Sequence, residues 1–168
     1  RGCTHRCLFC YRHVFGIRKN SVNYVIEHIK FLQKNYNLNG FEFDDELFNL
    51  STKWVLDFCD AIEKNNLKIF YMIGGARADF INKTVLERLK ETGCIEISYG
   101  QESGSDKILK EYAKGITVQK NIETTLLTKE VGIPTTVQLV IGAPSETTQT
   151  IHETIKFLKA VDGWRFSL

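Results

Sequence analysis

Segments typical of β-strands alternate with amphipathic helices along almost the whole chain, and this alternation limits the possible folds more than any other feature. Between the strand-like segments, apolar residues recur with the spacing of one helix face, as in Val25, Ile29 and Leu32. Strands separated by helices of this length form βαβ units, which build parallel sheets through right-handed crossovers. The sheet is then either doubly wound or curved toward a barrel. The strand-like segments cover residues 40–44, 67–73, 94–99 and 134–141, and a last one begins at residue 163.

Small polar residues stand where several of the helices begin. Ser51, Asn82 and Thr117 each precede an apolar periodic segment and are predicted to cap it. The helix after Thr117 carries Ile122 and Leu126 as its apolar positions. We therefore expect these two side chains to face the core.

Polar residues within the strand-like segments favour a barrel over a doubly wound sheet. Their alternation with apolar neighbours suits a barrel with a partly polar interior, and they are Glu42, Asp44, Glu96 and Ser98. In barrels of this kind, functional groups lie at the carboxyl ends of the strands. The candidate residues of this chain fall at those ends, in segments 44–46, 74–79, 99–103 and 142–146.

Composition places the chain among ordinary globular proteins. Apolar residues make up 43% and charged residues 25% of 168 positions, which suits one domain and excludes a disordered class. Lysine and arginine number 22 against 20 acidic residues, so charge gives no reason to expect a membrane surface or nucleic acid as partner. No apolar stretch is long enough to cross a bilayer, and no secretion signal opens the chain. A cytoplasmic protein is expected.

Both ends of the chain indicate a piece of a longer protein. The first residue is Arg1 rather than Met, and a distinctive group of cysteines begins at position 3 with no strand before it. The last strand begins at Gly163, and the chain stops at Leu168. We expect residues 1–168 to form one domain that lacks its first strand and the end of its fold.

Three cysteines stand close together near the start of the chain. Cys3, Cys7 and Cys10 have the spacing C-x3-C-x2-C. An odd number of thiols in a protein expected to be intracellular argues against disulfides. Structural zinc needs four ligands, and His5 or His13 could supply the fourth. An iron–sulfur cluster held by only three cysteines would leave one iron open for chemistry, because full ligation of a [4Fe–4S] cluster takes four.

The cysteine segment resembles the signature of radical S-adenosylmethionine (radical SAM) enzymes. It reads Cys3-Thr-His-Arg-Cys7-Leu-Phe-Cys10, with the aromatic Phe9 before the third cysteine. The resemblance extends to later strand ends in the same order, and it implies a partial parallel (β/α)6 TIM-like barrel. Cys3, Cys7 and Cys10 would ligate a [4Fe–4S] cluster whose open iron binds S-adenosylmethionine (SAM). One electron would then cleave SAM to a 5′-deoxyadenosyl radical that takes a hydrogen atom from the substrate. A zinc-binding module without catalysis is the alternative of another class.

Charged residues at the next two strand ends fit SAM binding within that resemblance. Asp44 and Asp45 stand where family members contact the amino group of SAM, often with Gly-Gly-Glu, a sequence from which this chain departs. Arg77 offers a forked donor for a carboxylate, and two glycines before it would permit close approach of a ligand. The alternatives are an acidic turn that caps the next helix and an ion pair between Arg77 and Asp79.

The segment from Tyr99 to Ser105 is similar to the Gly-x-Glu-Ser-Gly run of the family. By that resemblance Glu102 would accept hydrogen bonds from the ribose hydroxyls of SAM, and Ser103 would add a polar contact. The alternative is a turn with Ser105 as the N-cap of the next helix.

The run after residue 139 resembles another strand-end motif of the family, an apolar stretch ending in Gly-x-Pro-x-Glu-Thr. Val140, Ile141 and Gly142 would pack near the adenine of SAM. Glu146 is expected to cap the next helix, where a negative charge suits the helix dipole. The two remaining cysteines, Cys59 and Cys94, fit the core as small apolar side chains.

Taken together, the motifs look most like the radical SAM branch that carries a cobalamin-binding domain, here outside the chain. Members of that branch transfer methyl groups or close rings. Related branches are methylthiotransferases that modify RNA and oxygen-independent coproporphyrinogen oxidases. The implied partners are an unknown substrate and an electron donor such as flavodoxin or ferredoxin. The weak basicity argues against RNA, although an RNA-binding domain outside the chain would change that.

Overall fold

The computed structural model describes residues 2–11, 16–162 and 165–168. The helices are α1 (Val22–Tyr36), α2 (Thr52–Lys64), α3 (Lys83–Glu91), α4 (Asp106–Glu111), α5 (Val118–Glu130) and α6 (Thr148–Val161). The strands are β1 (Gly40–Phe43), β2 (Phe70–Ala76), β3 (Cys94–Glu102), β4 (Thr135–Leu139) and β5 (Arg165–Ser167). Within these ranges, no helix has the length and apolar character needed to span a membrane.

All five strands join one parallel sheet, and their order in the sheet follows their order in the chain. A doubly wound sheet reverses its strand order at a switch point, and the described strands contain no such reversal. Each crossover instead moves on by one strand in the same direction, as in the wall of a TIM-like barrel. The prediction of a partial parallel α/β barrel is confirmed. Gly163, where the sequence predicts the last strand to begin, lies outside the described residues.

Side-chain caps define where the helices begin. Ser51, Asn82 and Thr117 each accept a hydrogen bond from the backbone N–H three residues later, so the three predicted caps are confirmed. At α6 the prediction is wrong: the N-cap is Thr147 rather than Glu146. Thr147 forms a reciprocal pair with the residue three positions on, because each side chain accepts the backbone N–H of the other residue.

The hydrophobic core lies between the sheet and its helices. Tyr71, Ile73 and Ile97 occupy alternate strand positions and are almost completely buried. A cluster of aromatic rings with centroid distances of 5.3–6.2 Å joins α2 to the first two strands, and it comprises Phe43, Phe48, Trp54, Phe58 and Tyr71. This packing fixes the loop that follows β1.

The contact between α5 and β3 includes several buried polar side chains. Leu126 is 43% exposed, so the predicted inward orientation of that residue is wrong, whereas Ile122 is half-buried and packs against the core. Gln101 in β3 donates hydrogen bonds across the interface, to a threonine hydroxyl at 2.7 Å and an asparagine carbonyl at 3.2 Å. The buried residues of α5 are Asn121, Thr124, Thr125 and Thr128.

Candidate functional site

The cysteine segment, residues 2–11, lies against the edge where the strands end. Because the strands are parallel, the carboxyl ends of β1 to β4 meet at this edge. The Gly2 N–H donates to the carboxylate of Glu46 in the loop after β1. The Leu8 N–H donates to the carbonyl of Tyr112 after α4, at 2.9 Å. The cysteines and the strand ends therefore belong to one site.

Cys3, Cys7 and Cys10 are thiols rather than disulfide partners; the first two are half-buried and the third is exposed. The Cys10 N–H donates to the Cys7 carbonyl at 3.2 Å, so one tight turn joins these residues. The sulfur of Cys3 accepts the N–H of His5 at 3.4 Å. Within the described ranges, no group of three His, Cys, Asp or Glu side chains is arranged to hold a single metal ion.

The donor chemistry of this segment fits an iron–sulfur cluster. Cysteine thiolates are the ligands of such clusters, and N–H groups directed at the sulfurs tune their potential. The contact between Cys3 and His5 is of that kind. The His5 ring also packs 5.7 Å from the ring of Phe80 after β2. His13, the other histidine considered for zinc, lies outside the described residues.

Cys59 and Cys94 lie in the core, as predicted from the sequence, and both are almost completely buried. Burial raises the pKa of the Cys59 thiol. Burial likewise raises the pKa of Cys94, to about 12. Both side chains therefore remain neutral thiols, which are poor metal ligands.

The loop after β1 packs directly on the two glycines of β2. A Cβ on Gly75 would lie 2.2 Å from the carbonyl oxygen of Asp45, and one on Gly74 would lie 3.1 Å from a carboxylate oxygen of Asp44. The two glycines thus allow close packing, but the segment that packs on them is the chain's own loop rather than a ligand. Asp44 is exposed and Asp45 half-buried; their contact with SAM stays a prediction.

The guanidinium of Arg77 is buried and bound within the protein. It donates two hydrogen bonds to Asp79, at 2.9 and 2.8 Å, and one to the carbonyl of Lys114 at 2.8 Å. Asn49 bonds to both the N–H and the carbonyl of Arg77. Burial opposes ionisation of Asp79, but the hydrogen bonds and charge of Arg77 outweigh it and lower the pKa of that carboxyl. The alternative ion pair is therefore present, and a direct contact of Arg77 with SAM stays a prediction.

Glu102 is a buried carboxylate on a strained backbone. Its φ is +64°, in the left-handed region that few residues with a side chain adopt. The register of β3 against β4 shifts between Gly100 and Glu102, where a bulge forms opposite Leu139. One carboxylate oxygen accepts from the Lys114 ammonium at 2.6 Å, and both side chains are 8% exposed. Backbone strain of this kind persists only where the surrounding structure enforces it, and such residues cluster at functional sites.

Lys114 is the principal site residue that sequence reasoning missed. Its ammonium bonds to Glu102 and lies 5.8 Å from the centroid of the Phe9 ring. It therefore joins the cysteine segment to the end of β3. In the sequence it stands between Ala113 and Gly115, in a turn where a lysine ordinarily points to solvent. Only the long-range packing shows that it is buried.

Of the two serines after Glu102, Ser103 forms its side-chain hydrogen bonds within the protein. The Ser103 hydroxyl accepts from the Ser105 N–H at 3.1 Å and lies 3.3 Å from the hydroxyl of Thr154 in α6. Ser105 occupies the N-cap position of α4, but its side chain makes no capping bond there. The contact between Ser103 and SAM stays a prediction.

The segment after β4 lies at the same edge and is exposed at Ile141 and Gly142. The Val140 N–H donates to the Glu102 carbonyl at 2.9 Å, and the Val140 carbonyl accepts from the Tyr112 hydroxyl at 3.3 Å. Gly142 is exposed with φ +102°, and a Cβ there would meet no atom within 4 Å. The Gly142 N–H donates to the carboxylate of Glu146 at 2.6 Å. Glu146 therefore binds the segment after β4 instead of capping α6. The adenine contact of this segment stays a prediction.

Comparison with known proteins decides the family. The sequence matches the radical SAM superfamily over residues 1–158. The chain belongs to this superfamily. A relative described as "Uncharacterized methyltransferase PH0819", from Pyrococcus horikoshii, is 35% identical to this chain over 96% of its length.

Two solved structures show the same fold. The radical SAM methyltransferase TsrM from Kitasatospora setae gives a TM-score of 0.85 at 21% identity over 99% of this chain. The cobalamin-dependent radical SAM enzyme OxsB gives a TM-score of 0.78 at 27% identity over 94%. The predicted likeness to the cobalamin-associated branch is thereby confirmed. The radical SAM chain spans 36% of the length of the Pyrococcus relative, 34% of TsrM and 25% of OxsB.

Proposed function

We propose that this radical SAM chain binds a [4Fe–4S] cluster through Cys3, Cys7 and Cys10 and binds SAM along the adjoining strand ends. It would cleave SAM reductively and abstract a hydrogen atom from a substrate whose identity is open. The observation that carries the proposal is the anchoring of the cysteine segment beside the strand end that bears Glu102. When bound, the cluster and SAM together supply a 5′-deoxyadenosyl radical. Residues 1–168 act as one domain in the cytoplasm.

The ribose of SAM is assigned to Glu102. Carboxylates form strong hydrogen bonds with hydroxyl donors when water is excluded. Lys114 engages oxygen Oε1 of Glu102, so the proposal assigns the ribose to Oε2. Ser103 follows in the same turn and is assigned the additional polar contact.

The two ends of SAM are assigned to different strand ends. Asp44 and Asp45 offer carboxylates to the amino group. Arg77 already binds Asp79 and the Lys114 carbonyl, and in this proposal it reaches the methionine carboxylate only after that pair opens. The adenine lies against Phe9, Val140 and the exposed backbone of Gly142. This division places SAM across the mouth of the barrel.

The electron donor is proposed to be a small acidic protein such as flavodoxin or ferredoxin. Residues 1–26 contain five arginine and lysine side chains and no carboxylate. Of these residues, Arg6 stands between Cys3 and Cys7, Lys19 follows Cys10 in the chain, and both are exposed. Opposite charges steer two proteins together and fix their orientation. The cationic segment would thus attract an acidic donor to the cluster.

The likeness to OxsB and to the Pyrococcus relative described as a methyltransferase supports a further proposal about the whole protein. We propose a cobalamin-binding domain outside this chain and methyl transfer as the reaction. The alternatives within the superfamily are chemistry like that of the methylthiotransferases or of coproporphyrinogen oxidase.

Anaerobic reconstitution of the full-length protein with iron and sulfide tests the proposed function. We expect a brown protein with about four irons per chain, which forms 5′-deoxyadenosine from SAM under reductant. Cys7→Ala should lose the iron, whereas Cys59→Ala, the matched control in the core, should keep it. A colourless protein that retains zinc, or equal iron loss in both variants, contradicts the proposal.

A further inference from the structure

Tyr112 contacts two separate segments of the site through three different groups. It follows the last residue of α4 and is 5% exposed. Its carbonyl accepts the Leu8 N–H at 2.9 Å, and its ring meets the Phe9 ring edge-on at 5.0 Å. Its hydroxyl donates to the Val140 carbonyl at 3.3 Å. One residue therefore touches the loop between the second and third cysteines and the segment after β4.

The backbone around Tyr112 is held firmly from other sides. Ala113 has a φ of +51° and reverses the chain direction, so that Lys114 turns back toward Glu102 and Phe9. Arg77 donates to the Lys114 carbonyl at 2.8 Å. The turn from Tyr112 to Lys114 is thus a fixed support against which the cysteine segment lies.

The hydroxyl of Tyr112 remains a hydrogen-bond donor. Burial raises its pKa, and the neighbouring carboxylates of Glu146, Glu111 and Glu102 raise it further. The phenol stays protonated, so the bond to Val140 persists. Tyr99 provides a comparison, because it is also buried and its hydroxyl lies 2.9 Å from that of Thr128. That bond joins β3 to α5 in the core, away from the cysteine segment.

We infer that Tyr112 is a positioning residue that sets the cysteine segment against the segment after β4. The inference rests on the proposed function, in which SAM spans these two segments. If their separation drifts, SAM cannot reach its contacts at both ends at once. Loss of the hydroxyl releases the Val140 carbonyl while the ring still packs on Phe9. Loss of the ring also removes the contact with Phe9 and leaves the cysteine segment held to Tyr112 by the backbone bond of Leu8 alone.

The test compares Tyr112→Phe with Tyr99→Phe in the full-length protein carrying its cluster. Each variant loses one buried hydroxyl, and only the first hydroxyl bonds to the site. We expect both to keep their iron. Tyr112→Phe should weaken SAM binding by about three- to tenfold, the usual effect of one neutral hydrogen bond. It should also alter the change that SAM produces in the electron paramagnetic resonance spectrum of the reduced cluster. Tyr99→Phe should match the wild type in both measurements.

A second measurement needs no cluster. Hydrogen exchange of the peptide spanning residues 3–11 should quicken in cluster-free Tyr112→Leu relative to Tyr99→Leu. Equal SAM affinity, equal spectra and equal exchange in the paired variants overturn the inference and leave the proposed function intact. A wild-type protein that takes up iron but never binds SAM overturns both.

Discussion

The left-handed backbone of Glu102 predicts an unusual order of stability between glycine and alanine. A residue with a Cβ is strained by about 1–2 kcal/mol in this conformation, and glycine is not. Glycine also gives the unfolded chain more freedom, which lowers stability by about 0.4–1 kcal/mol relative to alanine. With φ at +64°, the difference favours glycine by about 0.5–1 kcal/mol.

The comparison must avoid leaving a charge buried without its partner. Truncating Glu102 alone strands the Lys114 ammonium, which is 8% exposed, and such a break destabilises proteins by about 3–5 kcal/mol. Both substitutions are therefore made together with Lys114→Met. The two double variants then differ only at position 102. Glu87, exposed in the middle of α3, serves as the control in the protein that keeps both Glu102 and Lys114.

Urea unfolding of the cluster-free protein provides the measurement. Glu102→Gly should be more stable than Glu102→Ala, whereas Glu87→Gly should be about 1 kcal/mol less stable than Glu87→Ala, as in any helix interior. The two sites should thus differ by about 1.5–2 kcal/mol in the glycine–alanine comparison. Finding alanine as stable as glycine at position 102 would refute the reasoning from backbone strain.

Two further outcomes follow from the site. Glu102→Gln should weaken SAM binding about ten- to a hundredfold in a calorimetric titration, which is the effect of one charged hydrogen bond. The iron content of this variant should stay unchanged, and the control variant Glu87→Gln should bind SAM like the wild type. Unaltered SAM affinity in Glu102→Gln contradicts the ribose assignment. Gly75→Ala should lower the free energy of unfolding by about 1–3 kcal/mol, because the new methyl group would meet the backbone of Asp45 at 2.2 Å. Gly74→Ala should cost less, since only the end of a side chain must move, and an equal cost in urea titrations of the two variants would argue against the close approach of the loop.

The sequence predicts the strands and the caps of α2, α3 and α5 because these depend on local chemistry. Ser51 and Asn82 cap helices through bonds that span three residues. The inward face of α5 is different, because its threonines look solvent-facing until Gln101 and Tyr99 supply partners from β3. Periodicity counts apolar residues and therefore selected Leu126, which is exposed.

Long-range contacts explain why parts of the site escape prediction from sequence. The spacing of the three cysteines is enough to identify them as candidate cluster ligands. Lys114 and Tyr112 do not, since their partners are reached across 12 residues to Glu102 and 28 residues to Val140. Arg77 could be assigned either to a ligand or to Asp79 from the sequence, and only the structure shows the ion pair.

The hydroxyl and amide contacts between α5 and β3 imply an uneven response of the protein to cold. Burial of apolar groups loses strength as temperature falls, because hydration of such groups carries a large heat capacity. The aromatic cluster around Phe58 in α2 follows this rule. The contact of Asn121 and Thr125 with Gln101 depends on directional bonds instead. On cooling, we therefore expect the packing of α2 against the sheet to weaken before the contact between α5 and β3 does.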